Sequence, residues 1–211
     1  MTESLYPCDL DGQVALVTGA AQGLGLGIAE TLARRGAHLI VGDLQQELAA
    51  SETRAWREQG LSAEAVALDI ADSQAVDRCF EQVVASHSRL DILVNNAGVG
   101  QKVRPIAELT DGEWQRVIDI TLTGTFYCCR AAARIMQRQE SGAIVNIASI
   151  NGHNPAALVA AYNVAKAGVI TLTRTLALEL WLIRKNLQHS IGRKCRGSVI
   201  DFGTCVSACV E

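Results

Sequence analysis

Five short apolar runs punctuate the chain: VALVT (14–18), HLIVG (38–42), EAVAL (64–68), DILVN (91–95) and AIVNIA (143–148). Each has the length of a strand, and none alternates with polar residues, the pattern of parallel strands buried on both faces. Between them lie stretches with room for crossover helices at 24–35, 45–59, 73–88 and 113–139, with one more at 160–180. The first carries Ile28, Leu32 and Gly36 on one face, and Arg34 and Arg35 near its end, where cations complement the helix dipole. Strand alternating with helix predicts an α/β fold with a doubly wound parallel sheet of five clear strands, in one domain spanning 1–180.

Past Leu180 the pattern dissolves. In LALELWLIRKNLQHSIGRKCRGSV (176–199) the periodicity gives way to scattered basic residues, cysteines and glycines. Residues 181–211 are expected to form a divergent tail, disordered or holding one short strand, with GSVIDFG (197–203) as the only strand-like piece. That piece could lie beside the fifth strand; without cover, AIVNIA would sit near an open edge, an aggregation liability.

Composition narrows the function classes. Apolar residues make up 49% and charged residues 19% of the 211, in keeping with a buried sheet. The net charge is −3 and no basic run exceeds IGRKCR (191–196), which argues against nucleic acid. No apolar stretch approaches the ~18 residues of a membrane span. The opening MTESLYPCDL lacks the basic-then-apolar order of a signal peptide, and the last cysteine is too near the end for a prenylation box, so a cytoplasmic chain is expected. The seven cysteines show no paired metal-ligand spacing and read as free thiols, with no metal site expected.

The first chemical motif is VALVTGAAQGLGLGIAETL, which puts Gly19, Gly23 and Gly25 between the first strand and the first helix. Such a turn lets backbone N–H groups approach a pyrophosphate seated on the helix N-terminus. The second strand ends in VGD, with Asp43 eighteen residues after Gly25. A carboxylate there accepts from adenosine ribose hydroxyls and repels a 2′-phosphate, favouring NAD over NADP.

The spacing Thr-Gly-x-x-x-Gly-x-Gly (18–25), then NNAG (95–98), IVNIAS ending in Ser149, and YNVAK (162–166), in that order, resembles the short-chain dehydrogenase/reductase family. The resemblance runs from about residue 11 to 180 and is nearest the branch holding 3-oxoacyl-carrier-protein reductases and sugar or polyol dehydrogenases. It implies a Rossmann sheet of order 3-2-1-4-5-6-7. It implies that Gly19, Gly23, Leu24 and Gly25 cradle the pyrophosphate and that Asp43 holds the adenosine ribose. Asp69 and Ile70 would flank the adenine, Asn96, Ala97 and Gly98 would line the cofactor cleft, and Asn95 would tie neighbouring strands. It further implies self-association through helices 113–139 and 160–180, and a small-molecule alcohol or ketone as substrate.

Tyr162 and Lys166 stand four apart, one turn of a helix from each other. A phenol is a poor base at neutral pH, and a neighbouring ammonium favours its ionised form. By resemblance, Tyr162 gives or takes the hydroxyl proton, Ser149 bonds the substrate oxygen, and Lys166 bonds the nicotinamide ribose while hydride moves to or from the nicotinamide. His153, beside Asn-Pro, reads as a surface turn residue.

Two departures from the family stand out. Thr121 occupies a place where the family carries an asparagine in a proton relay, which implies slower proton transfer. The family's sixth and seventh strands are missing or replaced after Leu180. The expected activity is therefore NAD-dependent hydride exchange with a secondary alcohol or ketone of sugar, polyol or 3-oxoacyl type. The alternative is an impaired relative that binds dinucleotide, or pairs with relatives, without turnover.

Overall fold

The computed structural model describes residues 10–191, 199–201 and 205–210, with side-chain environments for residues 10–180. Five strands, β1 (Val14–Thr18), β2 (His38–Asp43), β3 (Ala63–Ala67), β4 (Ile92–Asn95) and β5 (Gly142–Ile147), pair in parallel in the order β3-β2-β1-β4-β5. Each lies within a residue or two of its apolar run. Burial on both faces holds for β1 in the middle of the sheet but not for β3, an edge strand whose side chains are mostly exposed or half-buried.

Alternation along β1 feeds two cores. Val14 and Leu16 face one side with Ile40, Leu93, Ile144 and Phe80; Ala15 and Val17 face the other with Leu39, Val41, Val94 and Trp56. The helices cover both layers. On the second side lie α1 (Gly23–Arg34) and α2 (Gln46–Glu58); on the first lie α3 (Ser73–His87) and the later helices. The buried stripe of α1 is Gly25, Ala29 and Ala33, whereas Ile28 and Leu32 are half-buried and Gly36 is exposed. Small residues at the centre let the helix approach the sheet closely, which a search for large apolar residues overlooks. Helix α3 is capped by Asp72, which accepts from the Gln74 N–H at 2.8 Å, and stops at Ser88 in the left-handed region (φ 63°).

The predicted helix at 113–139 begins earlier and is not uniform. It starts as α4 (Asp111–Val117), with Thr110 accepting from the Glu113 N–H at 3.2 Å, widens into a π-helical turn over Ile118–Gly124, and resumes as α5 (Thr125–Gln139). Such turns recur at functional sites, and Thr121 is the central residue of this one. Gly124 is required where it is: a Cβ there would meet Ile70 side-chain atoms at 2.8 Å.

The end of the chain departs most from expectation. Helix α6 (Ala160–Ile191) continues past Leu180, across a stretch with neither glycine nor proline from Val169 to Ile191. Beyond β5 lie two further strands, β6 (Val199–Asp201) and β7 (Cys205–Val210), giving a seven-stranded sheet ordered β3-β2-β1-β4-β5-β7-β6. The strand on β5 is β7, antiparallel in register Gly142↔Val210 to Ile147↔Cys205; the expected neighbour, within 197–203, pairs outside it. The edge of β5 is thus covered by a strand of small and β-branched residues, CVSACV, which lacks the Val/Ile/Leu run that marks the inner strands. Expectations for residues 1–9, 192–198, 202–204 and 211 lie outside the described residues.

Candidate active site

The carboxyl ends of β1, β2, β4 and β5 are aligned, with Thr18 opposite both Gly42 and Asn95, and Asn95 opposite Asn146. The loops leaving them therefore gather on one edge of the sheet, where ligands bind in open α/β sheets. There a cleft of about 350 Å³ is lined by Gly19, Gln22, Asp43, Leu44, Gln45, Leu68, Asp69, Ile70, Asn96, Ala97, Gly98, Val99, Arg116 and Ile120.

The glycine loop is held from behind. Asn96 donates through Nδ2 to the carbonyls of Thr18 (3.1 Å) and Gly19 (2.8 Å), while the Thr18 hydroxyl accepts from the backbone N–H of Asn96 (3.2 Å) and Ala97 (3.1 Å). Gly19 has φ +62°, and a Cβ there would meet the Ala97 Cα at 2.7 Å. A Cβ on Gly25 would come closer still, to the Asn96 amide and the Gly19 carbonyl. Gly23, also at φ +62°, faces open space. Of the residues expected to form the cradle, Gly19 lines the cleft; Gly23, Leu24 and Gly25 do not, and Leu24 is exposed.

Asp43 is buried at the tip of β2. Its Oδ2 accepts from the Ala21 N–H and its Oδ1 from the Gln45 N–H, both at 2.9 Å, joining the glycine loop to the start of α2. Asp69 also faces the cleft, with Oδ1 accepting from the Ala71 N–H at 2.9 Å, and Ile70 packs beneath Gly124. Gly19 and Gly25 leave no room for a side chain against Asn96 and Ala97, Gly23 faces open space, and a buried carboxylate stands at the tip of β2, a set that fits a nicotinamide dinucleotide.

Next to the cleft, Gly98 brings a second group together: a Cβ on it would lie 3.6 Å from Thr121 and 3.8 Å from the Lys166 Nζ. Lys166 is buried; its ammonium donates to the Ile147 carbonyl at the end of β5 (2.5 Å) and stands 5.8 Å from the Tyr162 ring centroid. Burial lowers its pKa to about 8. Ser149 lies two residues past the end of β5, and its hydroxyl accepts from the Asn151 N–H at 3.2 Å, capping the turn Ile150–Gly152. His153 is exposed in the next turn.

Thr121 is fully buried, and its hydroxyl both accepts from the Val99 N–H (3.0 Å) and donates to the Val99 carbonyl (3.2 Å). A relay through that hydroxyl would have to break the bond to the carbonyl. Behind the site, Asn95 donates to Asn146 Oδ1 (2.8 Å) and Asn146 to the Thr173 hydroxyl (2.8 Å), linking β4, β5 and α6.

Two contributors carry no sequence signal. Gln101 accepts through Oε1 from the N–H groups of Ala161 (2.7 Å) and Tyr162 (3.2 Å), capping α6 where Tyr162 sits, from 60 residues away. Arg116 reaches the cleft from α4. Neither belongs to a local motif.

Among the described residues, no helix is long and apolar enough to cross a membrane. The model of the short chain dehydrogenase family matches residues 13–184. Over 166 residues the chain is 43% identical to a cis-4-hydroxycyclohexanecarboxylate dehydrogenase of Sinomonas cyclohexanicum, covering 79% of this chain and 66% of that protein. It is 40% identical over 172 residues to a galactitol 2-dehydrogenase of Rhizobium johnstonii, covering 81% and 66%. The chain thus spans just under two thirds of the length of these curated relatives. The crystal structure of a short chain dehydrogenase from Mycobacterium smegmatis superposes with a TM-score of 0.77 at 38% identity, over 84% of this chain and 76% of that one. By motif order, fold and extent of match, the chain belongs to the short-chain dehydrogenase family.

Proposed function

We propose that the chain exchanges hydride between NAD and a secondary alcohol or ketone of sugar, polyol or 3-oxoacyl type, with Tyr162 as acid/base. The observation that carries this reading is the buried Lys166 ammonium, set near the Tyr162 ring and within reach of Gly98 at the cleft that Asp43 and Asn96 complete. The relatives named for galactitol and for a hydroxycyclohexane carboxylate support an alcohol on a ring or polyol carbon.

When bound, the dinucleotide supplies the hydride acceptor or donor. Gly19, Gly23, Leu24 and Gly25 would receive its pyrophosphate, Asp43 its adenosine ribose, Asp69 and Ile70 its adenine, and Asn96, Ala97 and Gly98 the rest of the cleft wall. The lone pairs that Asp43 keeps beyond its two backbone donors accept from ribose hydroxyls, and its charge repels a 2′-phosphate, the basis for NAD over NADP. Ser149 donates to the substrate oxygen, leaving its lone pair on the Asn151 N–H. Tyr162 moves the hydroxyl proton, and the Lys166 ammonium, turned from the Ile147 carbonyl toward the site, stabilises the phenolate and bonds the nicotinamide ribose. Thr121 holds the Val99 loop in place. An asparagine there separates positioning from relay: Thr121→Asn raises turnover only if the threonine limits proton transfer.

Helices α4–α5 and α6 expose Phe126, Val164 and Leu178, an apolar surface suited to pairing with a second copy. The buried free thiols Cys79, Cys128 and Cys129 suit a reducing, cytoplasmic setting. The domain unit would be 1–180, with 181–211 as its divergent end.

The test is NADH formation from a panel of polyols and cyclic secondary alcohols, with NAD⁺ and NADP⁺ compared. Turnover with NAD⁺ that Tyr162→Phe abolishes supports the reading. A second reading, dinucleotide binding without turnover, draws on the antiparallel β7 lying where the family resemblance implies a different strand. Thermal stabilisation by NAD⁺ with no turnover on any alcohol would select it.

A further inference from the structure

At the opposite edge of the sheet, His38 at the start of β2, Glu64 on β3 and His87 at the end of α3 each bring one ligand atom within 4.8 Å of the others. His87 Nε2 lies 2.8 Å and His38 Nε2 lies 3.7 Å from the same Glu64 Oε1, and the two rings sit 4.3 Å apart, tilted by 40°. Around a zinc ion with bonds of ~2.0–2.1 Å, ligand atoms of a tetrahedron stand ~3.4 Å apart, so small side-chain shifts would bring this trio into range.

Three further observations favour a ligand here over a plain hydrogen-bonded trio. The His38 Nε2 is shut away from solvent yet has no hydrogen-bond partner. The other ring nitrogen, Nδ1, is 2.6 Å from the Ser62 hydroxyl, the kind of support that orients a metal-bound imidazole. Beside the trio a shallow cleft of about 520 Å³, lined by His38, Arg57, Ser62 and Glu64, gives an entry path and room for a water in a fourth position.

We infer that His38, Glu64 and His87 form a binding site for one divalent transition metal of the zinc class, with three protein ligands and a position open to water. Two imidazoles and one carboxylate suit zinc and not magnesium or calcium, which take oxygen ligands. The site clips the edge strand β3 to β2 and α3. It lies ~16 Å from Asp43, five residues along β2 at ~3.3 Å each, and so is separate from the cleft.

The experiment uses the full chain stripped with a chelator. Zinc chloride is titrated calorimetrically, and thermal unfolding is followed with and without zinc in the wild type, His38→Gln, His87→Gln and Glu64→Gln. The site predicts one zinc per chain and a rise of about 5 °C or more at a hundredfold excess over the dissociation constant. Magnesium should give no rise, and each substitution should weaken zinc binding at least tenfold while leaving NAD⁺ binding unchanged. Three variants guard against one that fails to fold. No zinc uptake by the wild type would overturn the proposal. So would uptake that all folded variants retain, since the ligands would then lie elsewhere in the chain.

Discussion

The two ends of the same strands are organised in opposite ways. At the carboxyl edge, polar groups come in short contiguous motifs: residues 18–25 supply the loop, 95–98 its brace, and 162–166 the tyrosine and lysine. At the amino edge, the polar groups meet from 38, 64 and 87, with no two in one motif. Asp91, also there, is buried while accepting from the Val14 N–H at 2.9 Å and from Arg89 at 2.6 and 2.7 Å. The carboxyl edge leaves polar capacity unspent toward a cleft; around Asp91, the amino edge spends it on tying elements together. The His38 nitrogen stands apart at the amino edge, shut away from solvent without a hydrogen-bond partner.

The largest way to break this contrast is at Tyr162. Tyr162→Phe should lower kcat by about 10²- to 10⁴-fold with NAD⁺ affinity unchanged, read by steady-state kinetics beside a binding titration. A fall in affinity of the same size would make the tyrosine part of the fold and not of the chemistry.

Lys166 sharpens the contrast, because a binding edge should cost stability. Its pKa in the folded protein, about 8, lies below the ordinary 10.5 because of burial. The unfolded chain therefore holds the extra proton between these values, and stability from this group rises with pH across that window. Below pH 8 the full cost of the buried charge is present. Lys166→Met should abolish turnover yet raise unfolding free energy at pH 7 by about 1–3 kcal/mol, after loss of the bond to the Ile147 carbonyl. Denaturant melts at pH 7 and pH 10 would show the gain shrinking at the higher pH.

Asp43 belongs to both regimes, since it binds two backbone donors and faces the cleft. Asp43→Ala should destabilise the fold by about 1–3 kcal/mol and move the kcat/KM ratio toward NADP⁺. An unchanged ratio would remove its part in cofactor choice. The smallest effect is expected at Gln101: its replacement by alanine removes the cap of α6, for about 1 kcal/mol of stability, and lowers kcat/KM by loosening the turn that carries Tyr162.

Much of the arrangement at the carboxyl edge was legible in the sequence because its parts are local. A glycine turn, a strand-ending acid and a pair one helical turn apart are each set by the period of their own element; that they share one edge follows from the strand order. The five parallel strands were legible for a similar reason, since burial in a parallel sheet writes itself as unbroken apolar runs. The π-helical turn around Thr121 was not; within it Gly124 packs against Ile70 and Leu122 against Gly168, neighbours from segments distant in sequence. Nor was β7, whose six residues acquire meaning only beside β5.

The sequence by itself determined the layered α/β plan, the position of the glycine loop and the spacing of Tyr162 and Lys166, all consequences of periodicities within single segments. Only the tertiary structure decided that Gln101 caps α6, that Thr121 is committed to Val99, and that β7 covers β5 in antiparallel register. It alone also joined His38, Glu64 and His87. Each of those depends on which distant segments the sheet order makes neighbours, and a linear pattern carries no distance between segments.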